Sequence, residues 1–541
     1  MLNNKQIASK FDLLAKLMEL HDDNPFKIKT YANAYLSLRK LEGNLAEMSK
    51  AELASIKGVG STVADKIKEL VETGEMKALE KFREMTPEGI QQMLSIKGLG
   101  PKKVKQIWKE MEIETIGELL YACNENRLVA YSGFGPKIQA DIIEKLEYFQ
   151  ASQGKFLYAH VHKQAEKCLE LIKTKQTSTK IEICGDVRRM MPEVKGIELL
   201  SDAALVDIFP EIESMEYIDD QWYFMAIPIF IYVTESARFD QELFRLNSSE
   251  SFYAAFSNEE LSAGDDQLIF KNKGLPFIPA EFREHTDALS KNESYIQNLI
   301  VVEDIQGIVH NHSTYSDGLH TLKEMADYVR DSGFKYFVIS DHSKSAGYAS
   351  GLNEESVLMQ WNEIENLNNQ FADGFKIYKG IESDILTDGS LDYSDDILAG
   401  FDIVIASVHS GLNMDEEKAT RRLITAIENP YTRILGHPTG RLLLARRGYP
   451  VDYKKVIDAC ATNNVVIELN ANPQRLDLDW TWIPYALDKH VKVAINPDAH
   501  SKESIHHIKY GVAAARKGGL TKDMCLNTMN KEAFDQWLSR K

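Results

Sequence analysis

Short apolar segments that end in metal-binding side chains recur from Gly307 to Lys541, and they constrain the fold of this chain more than any other feature. The first segment, Gly307–Val309, is followed at once by His310 and His312. Seven further histidines and acidic residues follow this segment or a later one: Asp317, His342, Glu382, His409, His437, Asp498 and His500. Another apolar segment, Asn464–Asn470, ends in polar residues too.

These segments alternate with amphipathic stretches of helix length, which predicts parallel strands joined by helices. In a barrel of that kind, polar side chains at the strand C-termini converge on one face. Histidine nitrogens and carboxylate oxygens gathered there are typical ligands of divalent ions. Ten of the 14 histidines lie in this region, so the pattern predicts a metal centre. Four lack the strand-end placement and are expected to be solvated or capping residues: His320, His490, His506 and His507.

Length and composition favour a multidomain protein of the cytoplasm. With 541 residues, 44% of them hydrophobic, the chain can bury several cores. No apolar run is long enough to span a bilayer, and the first residues lack a signal-peptide pattern. The five cysteines are scattered and form no Cys-x-x-Cys pair, which indicates buried thiols in a reducing compartment.

The N-terminal part of the chain reads as amphipathic helices and contains a different repeat. Three Gly-x-Gly turns, each opening a helix-like segment, occur at Gly58 and Gly60, Gly98 and Gly100, and Gly133 and Gly135. Such a turn exposes backbone N–H groups without Cβ obstruction, and the helix dipole favours a phosphate there. Nearby lysines such as Lys102 supply positive charge. Three such repeats predict sequence-independent contact with a DNA backbone.

The charge distribution limits how strongly DNA can bind. The net charge is −18, but residues 1–150 carry 22 basic and 22 acidic residues, whereas the remainder carries 41 and 59. A neutral N-terminal part with local lysine clusters can still hold phosphates through a small patch. DNA binding is therefore expected to be modest and strongly dependent on salt.

Several strings in the C-terminal part form a recognisable series: His310-x-His312, Ser316-Asp317-Gly318, Ser340-Asp-His342, Gly380-Ile-Glu382, Ser407-Val-His409, Gly436-His-Pro-Thr-Gly-Arg441, Arg475-Leu-Asp477 and Asp498-Ala-His500. This series resembles the PHP (polymerase and histidinol phosphatase) domain that is fused to bacterial X-family DNA polymerases, the PolX-type proteins. The three Gly-x-Gly turns likewise resemble helix-hairpin-helix motifs.

The resemblance implies a multidomain α/β architecture with five parts. They would be a small N-terminal helix-hairpin-helix domain (1–85), fingers with two further helix-hairpin-helix motifs (86–149), a degenerate α+β palm (150–235), a thumb (236–295) and a PHP phosphoesterase domain with a distorted (β/α)7 barrel (296–541).

The resemblance also implies three divalent ions. The expected ligands are His310, His312, Glu382 and Asp498 for the first, Glu382, His409 and His437 for the second, and Asp317, His342 and His500 for the third. The expected catalytic residues are Glu382, His409, Asp498 and Arg441. Nitrogen-rich ligation admits zinc, manganese or iron, with manganese favoured for activity. Arg441, Arg446 and Arg447 could hold phosphate oxygens, although a solvated basic face explains them as well.

The first hairpin is similar to the N-terminal domain of X-family polymerases. There, a lysine six residues after the second glycine of the turn can act as a Schiff-base nucleophile on deoxyribose phosphate. Lys66 occupies that position here. Lys66 fits an ordinary solvated lysine on a helix equally well. Lyase activity and this simpler interpretation are therefore both open.

The palm departs from the family pattern at its active site. Ile183-Cys-Gly185-Asp-Val-Arg188-Arg189 resembles the Gly-Ser-x-Arg-Arg string that holds a triphosphate, but Asp186 replaces the hydroxyl. The two catalytic aspartates correspond to Gly196 and Glu198, and Pro228–Val233 contains no third acid. Because magnesium in such sites needs several carboxylate and phosphate oxygens, nucleotidyl transfer is expected to be absent or vestigial.

Three functions are consistent with these patterns. The first is a cytoplasmic, monomeric DNA-repair enzyme that acts on gapped, nicked or 3′-ended DNA as a metal-dependent 3′–5′ exonuclease. Abasic-site or 3′-phosphate processing during base excision repair would accompany it. The second is a small-molecule phosphatase of the histidinol-phosphatase type, and the third is a scaffold that binds DNA ends without catalysis.

Overall fold

The computed structural model describes residues 4–39, 41, 44–96, 98–151, 154–256, 264–371 and 374–539. Contacts divide the chain into two compact units. The first comprises Met1–Asn124 and Leu128–Phe149, and the second comprises Glu125–Arg127 and Gln150–Lys541. The finer division into five domains stays a prediction. Among the described residues, no helix has the length and apolar character that a membrane crossing requires.

The first unit is built from helices, as predicted. They are Asn4–Leu20, Pro25–Leu38, Lys50–Ser55, Ser61–Thr73, Lys77–Glu84, Glu88–Met93, Pro101–Lys109, Ile116–Asn124 and Pro136–Ala151. The first helix buries Ile7, Phe11, Leu14 and Leu17, which are spaced to share one face. These side chains belong to one apolar cluster that extends to Leu146 and forms the core of the unit.

Residues 150–235 of the second unit, the predicted palm, contain a mixed sheet of five strands. In spatial order they are Ile181–Ile183, Ile197–Ser201, Ile227–Val233, Gln221–Phe224 and Met215–Ile218. The second and third strands run parallel and the other neighbours antiparallel. Helix Tyr158–Lys175 packs on this sheet through Val161, Ala165 and Cys168. Helix Gly185–Arg188 and a strand pair, Phe156–Leu157 with Glu193–Val194, complete the region.

Short helices follow the palm and lead into the barrel. They are Phe239–Leu246, Glu250–Phe256, Asp266–Asn272, Ala280–Phe282, Thr286–Ser290, Glu293–Gln297 and Val302–Asp304. Their core is rich in phenylalanine and surrounds the buried guanidinium of Arg283, which pairs with Asp266 at 2.6 Å. The segment from Asp287 to Asp304, which leads into the barrel, is largely helical.

All seven strands expected in the C-terminal region are present, and they form one parallel sheet. Along the sheet they are Gly307–Ile308, Tyr336–Ile339, Lys376–Asp384, Ile403–Ser407, Thr432–Leu435, Val466–Asn470 and Val493–Asn496. The surrounding helices are Leu322–Asp331, Glu354–Gln370, Asp395–Leu398, Glu416–Ile427, Tyr453–Asn463, Ile483–Asp488, Ile508–Lys517 and Lys531–Leu538. One detail differs from expectation: Glu382 lies inside its strand and not beyond its end.

The sheet curls into a nearly closed barrel. Beyond the first and last strands, the N–H of His312 donates to the carbonyl of Ala499 at 2.9 Å, and Asn311 forms a parallel bridge with Ala499. Alternate strand residues fill the interior, where Tyr336 stacks on Phe534 with ring centroids 4.3 Å apart. Because Tyr336 begins its strand, Phe534 closes the end of the barrel opposite the predicted ligands.

A buried lysine joins the palm and thumb regions to a barrel helix. Lys517 is only 1% exposed, and its Nζ donates to the carbonyl of Arg189 at 2.8 Å and to Glu284 at 3.0 Å. Glu284 also accepts from the guanidinium of Arg189 at 3.1 Å. Burial lowers the pKa of Lys517 to about 8, even though Glu284 favours its charged form.

Candidate metal centre

The C-terminal ends of the barrel strands bring the nine predicted ligands together. His310 and Asp498 follow the first and last strands, and both have left-handed backbone conformations, with φ of 65° and 51°. Such conformations are uncommon for residues other than glycine and persist where the surrounding structure fixes them. Here the pairing of the chain around Ala499 fixes both residues. The two side chains consequently enter the same buried space, with His310 Nε2 3.5 Å from Asp498 Oδ1.

Glu382 is the central carboxylate of the site. It is 1% exposed and contacts the imidazole nitrogens of five histidines. The distances are 2.9 Å to His437, 2.9 Å to His342, 3.1 Å to His409, 3.2 Å to His310 and 3.6 Å to His312. A carboxylate with that many nitrogen neighbours is placed to bridge more than one ion.

The donor atoms fall into overlapping groups of the size that binds a metal ion. Within each group the donor atoms lie no more than 4.8 Å apart. The groups are His310, His312 and Glu382; His342, Glu382 and His409; His310, His437 and Asp498; His312, Asp317, His342 and His500; and Glu125, Asp498 and His500. The last group adds Glu125, which the sequence did not single out. All nine predicted residues are included. The groups share members, so neighbouring ions in this centre would share ligands.

Buried charges of opposite sign stabilise the ionised carboxylates. Burial alone would raise the pKa of Asp317, Glu382 and Asp498, but neighbouring imidazoles outweigh it and hold each pKa well below its ordinary value. Burial, together with His500 and His342, lowers the pKa of His312 to about 3. These shifts keep the three carboxylates ionised and His312 neutral, the protonation states in which they bind metals.

Two carboxylates that the sequence did not single out support the ligand histidines. Glu468 lies 2.7 Å from His310 Nδ1 and also accepts from the His437 N–H at 3.1 Å. Asp384 lies 2.6 Å from His409 Nδ1. A carboxylate on the second ring nitrogen fixes the tautomer and orientation of a metal-ligating histidine. Asp384 could have been found, because it lies two residues after Glu382 on the same strand face.

Unpaired donor atoms test whether the site fits divalent ions. Several buried donors of the centre make no hydrogen bond of good geometry to any described residue: His310 Nε2, His312 Nδ1, Asp317 Oδ2, His342 Nδ1, Glu382 Oε2 and His437 Nδ1. A buried polar atom without a partner is costly, so such atoms are rare unless a ligand satisfies them. Ligation would satisfy them, and the mixture of imidazole and carboxylate donors suits zinc, manganese or iron.

The arginines near the centre have different surroundings. The guanidinium of Arg441 pairs with Asp479 and donates to the carbonyls of Arg475 and Leu476. Arg446 donates to the carbonyl of Gly440 at 2.9 Å. The buried Arg475, which the sequence showed only as part of a motif, lies beside a predicted ligand, with its Nε 3.8 Å from Asp498 Oδ2. The catalytic role of Arg441 stays a prediction.

The three Gly-x-Gly turns of the first unit share one geometry. Gly58, Gly98 and Gly133 have φ of 89°, 100° and 90°, a region that side chains disfavour. The residues between the glycines, Val59, Leu99 and Phe134, are buried. Gly60, Gly100 and Gly135 come directly before helices, and a Cβ at any of them would meet nothing within 4 Å. These helix N-termini are therefore open to a phosphate.

The lysines of the hairpins differ in exposure. Lys102, at the start of helix Pro101–Lys109, is exposed and can reach a bound backbone. Lys66 is half-buried on helix Ser61–Thr73. The structure gives Lys66 no feature that separates a nucleophile from an ordinary helix residue, and its role stays a prediction.

The one acid that remains at the expected catalytic positions of the palm is Glu198, and it is already bonded to protein groups. Glu198 is 3% exposed, and its carboxylate accepts from the backbone N–H of Asp186 at 2.8 Å and from the hydroxyl of Tyr232 at 3.1 Å. Lys195 lies 3.2 Å away. On the neighbouring parallel strand, Phe230 pairs with Glu198. Glu198 thus covers the start of helix Gly185–Arg188, where the resemblance expects a triphosphate.

The two other palm positions also differ from a nucleotide site. Gly196 has a φ of 155°, and a Cβ there would lie 2.3 Å from the carbonyl oxygen of Pro228, so no aspartate fits. Arg188 is exposed, whereas Arg189 pairs with Asp186 at 2.5 Å.

Family comparisons agree with this arrangement. A helix-hairpin-helix domain matches residues 2–76, a SAM-like helix-hairpin-helix tandem matches residues 90–147, and a PHP domain matches residues 309–472. The first two cover the three glycine turns, and the third covers the barrel up to its sixth strand.

Curated and solved relatives match over different lengths. A probable phosphatase of Thermoanaerobacter sp. (strain X514) is 29% identical over 40% of this chain and 89% of its own length. The crystal structure of histidinol phosphate phosphatase from Lactococcus lactis, complexed with zinc, L-histidinol and phosphate, is 17% identical with a TM-score of 0.31, covering 40% of this chain and 94% of that one.

One relative extends over the whole chain. The DNA polymerase/3′-5′ exonuclease PolX of Bacillus subtilis (strain 168) is 32% identical over 100% of both proteins. The chain therefore belongs to the family of bacterial X-family DNA polymerases that carry helix-hairpin-helix motifs and a C-terminal PHP domain.

Proposed function

We propose that this protein is a DNA-repair phosphodiesterase that shortens DNA from its 3′ end at the metal centre of the barrel, and that it has lost template-directed synthesis. One observation supports both halves of the proposal. Nine donor groups, seven of them buried, converge in the barrel, and several have unsatisfied donor atoms, whereas Glu198 in the palm is bonded to protein groups.

The proposed cofactors are three divalent ions, with manganese as the activating ion. The nine donors would hold them in the three sets given by the family resemblance, with Glu382 shared between two ions. Ions in such a site polarise phosphoryl oxygens and activate a water molecule for attack on phosphorus. As ligands, Glu382, His409 and Asp498 would place the ions against the reacting phosphate. Glu468 and Asp384 would keep the imidazoles of His310 and His409 in one orientation.

A basic cavity next to the ligand loops is a candidate site for the backbone of the substrate. It has a volume of about 600 Å³ and is lined by Lys155, Arg441, Arg446 and Arg447 together with Glu193. Arg447 is exposed, so its guanidinium can pair with a phosphate in two hydrogen bonds. Arg441 would act mainly by bracing the segment that carries Arg475.

The proposed substrates are gapped, nicked or 3′-ended DNA, including 3′-phosphate ends and abasic sites. The three hairpin turns would hold the duplex through its backbone, without reading its sequence. A cytoplasmic, monomeric protein is consistent with the scattered buried thiols. Lyase chemistry at Lys66 belongs to the same proposal as an additional activity.

The decisive experiment incubates the protein with a 5′-labelled oligonucleotide and manganese. We expect a ladder of products shortened from the 3′ end. His342→Ala and Asp498→Ala should abolish the ladder while DNA binding, measured by fluorescence anisotropy, stays unchanged. His506→Ala is the matched control, because His506 is exposed and only contacts the hydroxyl of Tyr328. Full-length oligonucleotide after incubation with the unaltered protein would contradict the proposal.

A second candidate function rests on the probable phosphatases, one of which matches 40% of this chain and 89% of its own length. In that case the protein would release inorganic phosphate from a phosphomonoester such as histidinol phosphate. Parallel assays on histidinol phosphate and on oligonucleotides with 3′-phosphate or 3′-hydroxyl ends separate the two functions. Phosphate release from the small molecule without shortening of DNA would favour the second.

A further inference from the structure

A three-residue segment outside the barrel sequence packs beside the metal centre. Helix Ile116–Asn124 ends immediately before Glu125, and contacts assign Glu125–Arg127 to the second unit although Asn124 and Leu128 belong to the first. Asn126, in the middle, has a left-handed φ of 58°, a conformation that asparagine tolerates better than most residues. The left-handed backbone at Asn126 therefore sets the directions in which the flanking residues, Glu125 and Arg127, leave the chain.

Glu125 is buried and contacts two residues of the second unit. It is 4% exposed, and its Oε1 accepts from Asn472 Nδ2 at 3.1 Å. Its Oε2 contacts Nδ1 of His500. Burying a carboxylate without partners is strongly unfavourable, so these two contacts explain why the group can stay there.

Arg127 contacts another residue of the same site. Its guanidinium lies 4.1 Å from the ring centre of Tyr348. The Tyr348 ring in turn lies 6.0 Å from His342 and 6.4 Å from His409. Residues 125–127 therefore contact the surroundings of the predicted ligands at two separate points, through Glu125 at His500 and through Arg127 at Tyr348.

We infer that Glu125 is a positioning residue for the ion held by Asp317, His342 and His500, an inference that rests on the proposed metal centre. Nδ1 of His500 faces Glu125 and lies 3.0 Å from the carbonyl oxygen of Asp498, so it is the nitrogen that carries the proton. The other nitrogen, Nε2, lies 3.3 Å from Asp317 Oδ1 and is left as the ligand atom.

The same arrangement occurs twice more in the centre. Glu468 faces Nδ1 of His310, and Asp384 faces Nδ1 of His409, while Nε2 of each histidine points to Glu382. Glu125 completes the series, but it comes from the hairpin part of the sequence and not from the barrel. Loss of a carboxylate in this position commonly weakens metal binding by about 10- to 100-fold.

The test measures metal binding directly on the full-length protein. Metal-free protein is titrated with Mn²⁺ or Co²⁺, and retained ions are counted by plasma mass spectrometry after gel filtration. Glu125→Ala should bind one ion about 10- to 100-fold more weakly than the unaltered protein does, and should retain one ion fewer. Glu125→Gln keeps an oxygen that can accept from His500 and should restore most of the affinity. Glu110→Ala, at an exposed glutamate of the first unit, is the matched control.

Other measurements separate positioning from general structural damage. The cobalt absorption spectrum should change in Glu125→Ala and recover in Glu125→Gln, while the melting temperatures of the metal-free proteins stay alike. If Glu125→Ala does not fold, Asn472→Ala, which removes the partner of Glu125 Oε1, should reproduce a smaller loss.

Three results would overturn the inference. Unchanged ion counts and affinities in Glu125→Ala would show that the carboxylate is dispensable. Equal losses in Glu125→Ala and Glu125→Gln would make Glu125 a ligand and not a positioning residue. If the unaltered protein binds no ion, the proposed metal centre is wrong, and the inference about Glu125 fails with it. Normal ion binding without DNA degradation would contradict the proposed function alone, because the metal titration needs no nuclease activity.

Discussion

Glu468 Oε2 lies 2.7 Å from Nδ1 of His310, and the same carboxylate accepts hydrogen bonds from Asn496 Nδ2 at 2.7 Å and from the backbone of His437. A single acid therefore orients one predicted ligand by its ring and another by its backbone. Because Glu468 and His310 are both fully buried, removal of the carboxylate would leave its partners without their acceptor.

Glu468→Ala is expected to weaken metal binding by about 10- to 100-fold and to lower the melting temperature of the metal-free protein. Metal binding weakens because the His310 imidazole is no longer held in one orientation. The melting temperature falls because Asn496 and the backbone of His437 lose their acceptor. Metal titration and calorimetry measure the two effects. Glu503→Ala, on the surface of the same region, is the control. Unchanged metal affinity would contradict the orienting role.

Removal of metal should destabilise the barrel. Ions that bind only the folded state contribute about 2.7 kcal/mol per site when their free concentration is 100 times the dissociation constant. Chelation followed by differential scanning fluorimetry should therefore lower the melting temperature, and added manganese should restore it. Asp498→Ala should respond less, because one donor of the centre is missing. A melting temperature independent of both chelator and manganese would contradict metal binding.

Restoring the family's aspartates should not restore polymerisation. Gly196→Asp places a Cβ 2.3 Å from the carbonyl oxygen of Pro228 at a φ that side chains disfavour. Combined with Glu198→Asp, it should lower the free energy of unfolding by about 2 kcal/mol or more. Primer extension with magnesium or manganese should show no synthesis, and Glu198→Asp alone serves as the stability control. Extension by the double variant would contradict the steric argument against an aspartate at position 196, and extension by the unaltered protein would refute the proposed loss of the palm site.

Lys102→Ala should weaken DNA binding without changing cleavage chemistry. If Lys102 neutralises one phosphate, the slope of log affinity against log salt should fall by about 0.9 for duplex DNA. Lys105→Ala is the matched control on the same helix, since Lys105 pairs with Asp22 at 2.5 Å. Affinity measurements between low and moderate salt provide the slopes. Equal slopes for Lys102→Ala and the unaltered protein would exclude this lysine from the interface.

Lys517 should make stability depend on alkaline pH. Burial lowers its pKa from 10.5 to about 8, so the unfolded chain binds more protons between these values and stability rises with pH across that window. The benefit is lost as the pH falls through about 8. Relative to Lys517→Met, the free energy of unfolding of the unaltered protein should increase by on the order of 3 kcal/mol as the pH rises between these two pKa values. Chemical denaturation measures this difference, and Lys454→Met, at an exposed lysine, should show no such trend.

The sequence predicted the barrel well because its strands are short apolar runs followed by histidines and acids. Each of the seven runs became a strand, and the parallel order places their C-terminal ends on one side. The first unit was predictable for a similar reason, since Gly58, Gly98 and Gly133 need a left-handed backbone that other residues disfavour.

The residues that orient the ligands were harder to predict, because their partners are distant in the chain. Glu468 is separated from His310 by 158 residues, and Glu125 from Asn472 by 347. No local spacing relates such pairs. Glu468 also lies within an apolar strand, and Glu125 follows an ordinary helix, so neither stands out before the chain is folded.

Glu382 lies within a hydrogen-bonded strand, where it pairs with Ile405 of the next strand. Its position is therefore set by the barrel wall, while loops supply most of the surrounding histidines. A protein built this way can change its loops, and with them the molecules it accepts, without moving the carboxylate on which the ions are spaced. The barrel wall would thus act as a fixed reference point for the donor atoms around it.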